Sequence, residues 1–116
     1  MSRRSDEAGL WLSFSSGGML AALLFPAIAF LFWIGPALGW TPSPAYDHLV
    51  GLVRHPLVRV LLFALISLSM FHWAHRFRYT LYDGLQLYHL NHLIAVVTYG
   101  LATVLSLVAG FVVVTV

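Results

Sequence analysis

The sequence predicts an all-α membrane protein: three transmembrane helices behind a short amphipathic N-terminal segment, forming one anchor domain over 1–116. Three observations predict it. Of the 116 residues, 60% are hydrophobic and only 9% charged, where ordinary soluble domains carry about 25% charged residues. The deficit is gathered into three long apolar runs, and none of these runs contains Asp or Glu. A water-soluble globule is excluded. The absence of cysteine excludes disulfides, thiolate metal ligands, an iron–sulfur cluster and a thiol nucleophile on this chain. The net charge of +2 rests on six arginines without any lysine, too sparse for a nucleic-acid surface.

The elements follow in order. Arg3-Arg4, Ser5-Asp6-Glu7 and then Leu10, Trp11, Leu12 and Phe14 suit a short amphipathic lead-in at the membrane interface. The first span, about 17–39, contains the apolar run from Met19 to Leu38, near the ~20 residues needed to cross a hydrocarbon core. That run is too long for the apolar region of a signal peptide. Pro26 predicts a mild kink, and Pro36 with Trp40-Thr41-Pro42-Ser43-Pro44 ends the span. Tyr46 to His55 reads as a loop or a short interfacial helix. The second span, about 57–79, starts behind Pro56 and ends in Arg76 and Arg78, with Asp83-Gly84 as the turn signal after it. The third, about 93–116, follows His89, Asn91 and His92. Its β-branched end does not argue for a strand, because an isolated strand in lipid leaves its backbone unsatisfied.

Three spans put the termini on opposite sides. The start of span one, the end of span two and the start of span three then share a face bearing Arg3, Arg4, Arg76 and Arg78, against Arg54 and Arg59 on the other. The positive-inside bias predicts a cytoplasmic N-terminus and an external C-terminus.

Chemistry concentrates in Phe71-His72-Trp73-Ala74-His75-Arg76-Phe77-Arg78-Tyr79. His72, His75 and Arg76 are spaced three and four apart, which predicts a shared helix face, and ionisable groups at membrane depth normally face a bundle interior or cavity. The competing structural reading makes Arg76 and Arg78 orientation signals, with Trp73 and Tyr79 as interfacial anchors. His72 or His75 could ligate haem iron or zinc, but a pair three apart offers too few ligands, and hydrogen-bonded histidines are the favoured reading. Gly17-Gly18 with Ala21, Ala22 and Ala29 predicts close helix approach. Gly35 and Gly39 have GxxxG spacing, but they flank Pro36 at the helix end and are read as coincidence. Without an intramembrane carboxylate, a proton-coupled multidrug transporter has little support.

Arg4-Ser5-Asp6-Glu7, Trp11, Phe14-Ser15-Ser16-Gly17-Gly18-Met19, and His75-Arg76 followed by Asp83 resemble the D-subunit membrane anchor of quinol:fumarate reductase. The resemblance extends over nearly the whole chain, and the N-terminal string is its specific part. It implies a heterotetramer of anaerobic respiration in the bacterial inner membrane. A flavoprotein carrying FAD and an iron–sulfur subunit sit on the cytoplasmic side, held by C- and D-subunit anchors that form a menaquinone site. The resemblance places Trp11, His75 and Arg76 beside the menaquinone; His72 and Arg78, in the same polar stretch, are secondary candidates. This sequence departs from the family after Arg76, so no role for downstream histidines is carried over. The chain would then be a subunit of an enzyme without a catalytic residue of its own.

Oxidising a quinol releases two electrons and two protons. Arg76 stays protonated, so its expected part is to hydrogen-bond a quinone oxygen and stabilise developing negative charge. His75, as an imidazole whose free pKa is about 6.5, can exchange protons, and Trp11 can donate an N–H or pack on the head group. The main proton acceptor is expected on the C subunit. Two rivals stand beside this reading: a haem-binding succinate dehydrogenase anchor with His72 as an axial ligand, though this type of anchor is not expected to hold haem, and a purely structural anchor.

Overall fold

The structure, a computed structural model, describes the backbone of residues 2–116 and the side chains of Ala8, Gly9 and residues 11–116. The side chains of Arg3, Arg4, Ser5, Asp6, Glu7 and Leu10 therefore lie outside the described residues. The chain forms helix α1 (Ser2–Ala29), a π-helical turn (Phe30–Ile34) and a short α-helical turn (Gly35–Ala37). Then follow α2 (Tyr46–Arg54), α3 (Pro56–Leu85), a 3-10 turn (Tyr88–Leu90) and α4 (Asn91–Thr115). There are no strands among the described residues.

Three segments are long and apolar enough to cross a membrane: Trp11–Ala37, Pro56–Leu85 and Tyr88–Thr115. Their long axis suits a bilayer, since the molecule measures 50 × 31 × 23 Å and a bilayer with head groups is about 40–45 Å thick. At the end where His75 lies, all three reach more than a turn beyond the sequence-predicted spans. Polar side chains there interrupt the apolar run while the helical backbone continues.

The N-terminal lead-in is continuous with α1, and Pro26 stands inside that helix without ending it. The wider π turn comes later, immediately ahead of Gly35-Pro36, where Gly35 N–H donates to the Phe30 carbonyl. Pro36 has no N–H to continue the ladder, and Gly39 ends the segment at φ 72°, a left-handed conformation that glycine adopts without a Cβ penalty. Gly35 packs on Thr41 of its own turn, so Gly35 and Gly39 serve this turn and not a helix pair.

The segment left open as loop or interfacial helix is helical as α2, with Asp47 in its first turn and Arg54 in its last, both favourable to the helix dipole. Arg54 Nε donates to the Val116 carbonyl oxygen at 3.0 Å. His55 caps α3, its Nδ1 accepting from Leu57 N–H at 3.2 Å, and Pro56 takes the first helical position, where a missing N–H is harmless.

Asp83-Gly84 does not turn the chain. Both lie within α3, which ends at Gln86 in the left-handed conformation (φ 53°). Glycine within a helix costs about 1 kcal/mol relative to alanine. The burial of Tyr82 and its hydrogen bond to the Asn91 carbonyl, at 3.0 Å, hold this last turn.

Helix α3 is central. It packs along α4 and along α1, while α1 and α4 make no extended contact with each other. On α4 the buried residues Ile94, Thr98, Ala102 and Ser106 recur every fourth position, a seam of mostly small side chains that lets helices approach closely in lipid. On the other side, Gly17 lies against the backbone carbonyl of Leu68, and Gly18 against the His72 ring. This order leaves a groove with α3 as floor and α1 and α4 as walls.

Candidate functional site

The groove has a volume of about 870 Å³, within the 300–1,000 Å³ of typical small-molecule sites. Trp11 and Phe14 come from α1, Leu68, Phe71, His75 and Arg78 from α3, and Tyr99 from α4. Most of the wall is apolar or aromatic, with an imidazole, a guanidinium and a phenol converging on one end.

His75 Nδ1 and the Tyr99 hydroxyl are 2.9 Å apart. The ring also stands against Phe14 at 4.7 Å and edge-on to Tyr79 at 4.8 Å. These contacts fix its plane and leave Nε2 as the nitrogen free for a ligand.

Arg78 donates from Nε to Tyr82 Oη and from Nη2 to Asn91 Oδ1, both at 2.9 Å. Its guanidinium carbon lies 5.7, 5.3 and 5.7 Å from the ring centroids of Tyr79, Tyr82 and Tyr99. A cation over aromatic faces is attracted by their quadrupoles. Two of the five N–H donors of an arginine are thus committed, which leaves others for an acceptor in the groove.

His72 has another task. Its Nδ1 lies 2.8 Å from the Phe14 carbonyl oxygen; a carbonyl only accepts, so Nδ1 carries the proton. The ring stacks on Phe14 at 4.5 Å with planes 17° apart and presses its edge on Gly18. The imidazole ties α1 to α3. Among the described residues no three His, Cys, Asp or Glu side chains gather into a metal-binding group, and His72 has its face and one nitrogen engaged within the protein.

Trp11 is 71% exposed and stands on the α1 wall, so its indole is open to a ligand or a partner. Arg76 is exposed and does not line the groove. Helical geometry explains this: successive residues turn by about 100°, so Arg76 and Arg78 point to nearly opposite sides of α3. The structure therefore brings together Trp11, His75 and Arg78 of the sequence candidates, keeps His72 in the adjoining helix contact, and leaves Arg76 on the outer flank.

Tyr99 escaped the sequence reading. Its one signal is a phenol deep in an otherwise apolar span, where a buried hydroxyl requires a partner. Tyr82 carries the same signal once α3 is known to run on to Leu85.

Comparisons with known proteins identify the family. The family of fumarate reductase D subunits matches residues 1–114. The fumarate reductase D subunit of Mycobacterium tuberculosis is 43% identical over 113 residues, covering 97% of this chain and 90% of the relative. Those of Haemophilus ducreyi and Mannheimia succiniciproducens are 32% and 30% identical, each covering 97% of this chain and 93% of the relative. With a family match over almost its full length and three helices suited to a bilayer, the chain belongs to the fumarate reductase D-subunit family.

Proposed function

We propose that this chain is a membrane anchor of a quinol:fumarate reductase that attaches the flavoprotein and iron–sulfur subunits to the cytoplasmic face of the bacterial inner membrane. Together with the C-subunit anchor it would form the site where menaquinol is oxidised in anaerobic respiration. The groove carrying His75, Arg78 and Tyr99 supports this reading most directly, because donors gathered at one end of an apolar slot suit a redox lipid with two ring oxygens and a hydrocarbon tail.

In this proposal Arg78 hydrogen-bonds a ring oxygen and stabilises negative charge there. His75 receives a proton at Nε2 in the tautomer whose Nδ1–H donates to Tyr99. When Tyr99 donates instead, Nε2 carries the hydrogen and becomes a donor to a quinone oxygen. Between the two states both ring nitrogens are protonated, and only after the Nδ1 proton is handed on to the acceptor proposed on the C subunit does the Tyr99 O–H rotate to donate to Nδ1. Trp11 packs over the open side of the slot or donates its indole N–H. Arg76, on the outer flank of α3, is assigned to the rim, where it reaches the head group from outside or meets the iron–sulfur subunit. The bulk of the proton release falls to a group on the C subunit, and electrons pass to the iron–sulfur clusters. FAD and the fumarate chemistry stay on the flavoprotein.

The test is quinol-dependent fumarate reduction by the assembled complex carrying Trp11→Phe, His75→Gln, Arg76→Gln or Arg78→Gln. The proposal expects His75→Gln and Arg78→Gln to lose roughly tenfold or more in kcat/KM, the scale of one lost charge-assisted hydrogen bond. A set of variants with wild-type quinol kinetics would leave a purely structural anchor. A b-type haem spectrum that vanished in His72→Ala would favour the haem-carrying alternative.

A further inference from the structure

A second groove of about 590 Å³ lies at the opposite end of the molecule, between α3 and α4. Arg59 stands at its polar end, and Phe63, Leu107, Gly110, Val113 and Val114 form its walls. From Arg59 to His75 is 16 residues along α3, or about 24 Å at 1.5 Å per residue, so this groove is separate from the one carrying His75.

Three observations bear on its occupant. Arg59 Nε is enclosed by protein and has no hydrogen-bond partner among the described residues. An enclosed guanidinium donor left without an acceptor is costly. Arg59 also sits in the first turn of the 30-residue α3, where the helix dipole favours an anion. Asp47 is the single acidic side chain between Glu7 and Asp83. Finally, the rest of the groove is apolar. Gly110 helps keep it open, because a Cβ there would stand 3.0 Å from the Phe63 ring, and from Leu107 to Val114 it follows α4 for about 10 Å, inside one leaflet of a ~30 Å hydrocarbon core.

We infer that this groove binds an anionic phospholipid, with its phosphate on Arg59 and one acyl chain along Phe63, Leu107 and Val114. A phosphate oxygen supplies an acceptor to the guanidinium where Arg59 borders the groove, in a charge-assisted hydrogen bond. A quinone ring fits poorly, since no second polar side chain lines the groove to meet its other oxygen. An apolar partner helix would fill the walls and still leave Arg59 without an acceptor.

The experiment is native mass spectrometry of the whole complex, purified in mild detergent and titrated with phosphatidylglycerol or with phosphatidylcholine of the same chains. Wild type should retain one more phosphatidylglycerol than phosphatidylcholine. Arg59→Gln should weaken that retention roughly tenfold, the fold-change of one charge-assisted hydrogen bond, and Gly110→Leu should abolish it by filling the slot. Equal retention of both lipids by wild type would overturn the inference even if neither variant assembled. So would retention unchanged in Arg59→Gln, or a cross-link from Val114→Cys into a helix of another chain of the complex. None of these readouts depends on quinol turnover, so they separate this site from the one proposed for menaquinol.

Discussion

A hydroxyl 2.9 Å from an imidazole nitrogen can donate or accept, and that freedom is what Tyr99 adds to His75. Tyr99→Phe keeps the ring beneath Arg78 and removes only the hydroxyl, so the fold should persist while the ring of His75 loses its orientation. Quinol-dependent kcat should fall roughly tenfold, the scale of one hydrogen bond lost from a buried group, with a smaller change in KM. A change confined to KM would show that Tyr99 shapes the slot without acting on His75. Arg78→Lys should also be impaired, because an ammonium cannot bridge Tyr82 and Asn91 with a planar fork while lying over three tyrosine rings. At this scale the sequence was half legible. His75 stands out as an ionisable group at the end of a span and Trp11 through the family resemblance, but the choice between Arg76 and Arg78 depends on helix phase relative to a neighbour. The position of Tyr99 opposite His75 depends on how α4 packs, and no spacing within one helix reveals it.

Between elements, closeness is set by residues with little or no side chain. Gly17 touches the Leu68 carbonyl, which is backbone and cannot move aside. Gly17→Ala should therefore push α1 off α3 and lower stability by about 1–3 kcal/mol, read as a reduced melting temperature of the detergent-purified complex. Gly9→Ala, where an added Cβ meets nothing within 4 Å, serves as its control and should be neutral or slightly stabilising. Gly84 discriminates between a turn and a helix at the end of α3. It lies within the helix without a positive φ and with open space for a Cβ, so Gly84→Ala should stabilise by about 0.4–1 kcal/mol. Destabilisation would restore the turn that Asp83-Gly84 suggests in the sequence. The three long helices were readable because uninterrupted apolar runs leave few alternatives in lipid. Their ends were not, because tertiary hydrogen bonds such as that from Tyr82 to Asn91 override a local glycine signal. The π turn before Pro36 likewise had no mark beyond the proline itself.

Over the whole molecule, an odd number of spans separates the termini, and the arginine distribution favours a cytoplasmic N-terminus. A periplasm-dependent reporter such as alkaline phosphatase should be active when fused after Val116, and a reporter that works only in the cytoplasm should be silent there. The reverse pattern would turn the candidate quinol groove away from the proposed iron–sulfur partner. The exposed apolar faces of α1 and α4, with Leu23, Leu101, Leu107 and Phe111 among them, suit lipid and companion anchors.

The central claim is that the groove holding His75, Arg78 and Tyr99 is where quinol is oxidised. Its most direct measurement compares two electron donors in the same assembled complex carrying Arg78→Gln: a menaquinol analogue and a water-soluble reductant that delivers electrons to the cytoplasmic subunits. The account predicts fumarate reduction from the quinol falling roughly tenfold or more, with the soluble-donor rate unchanged. Equal rates from quinol in wild type and variant, or an equal loss with both donors, would contradict it.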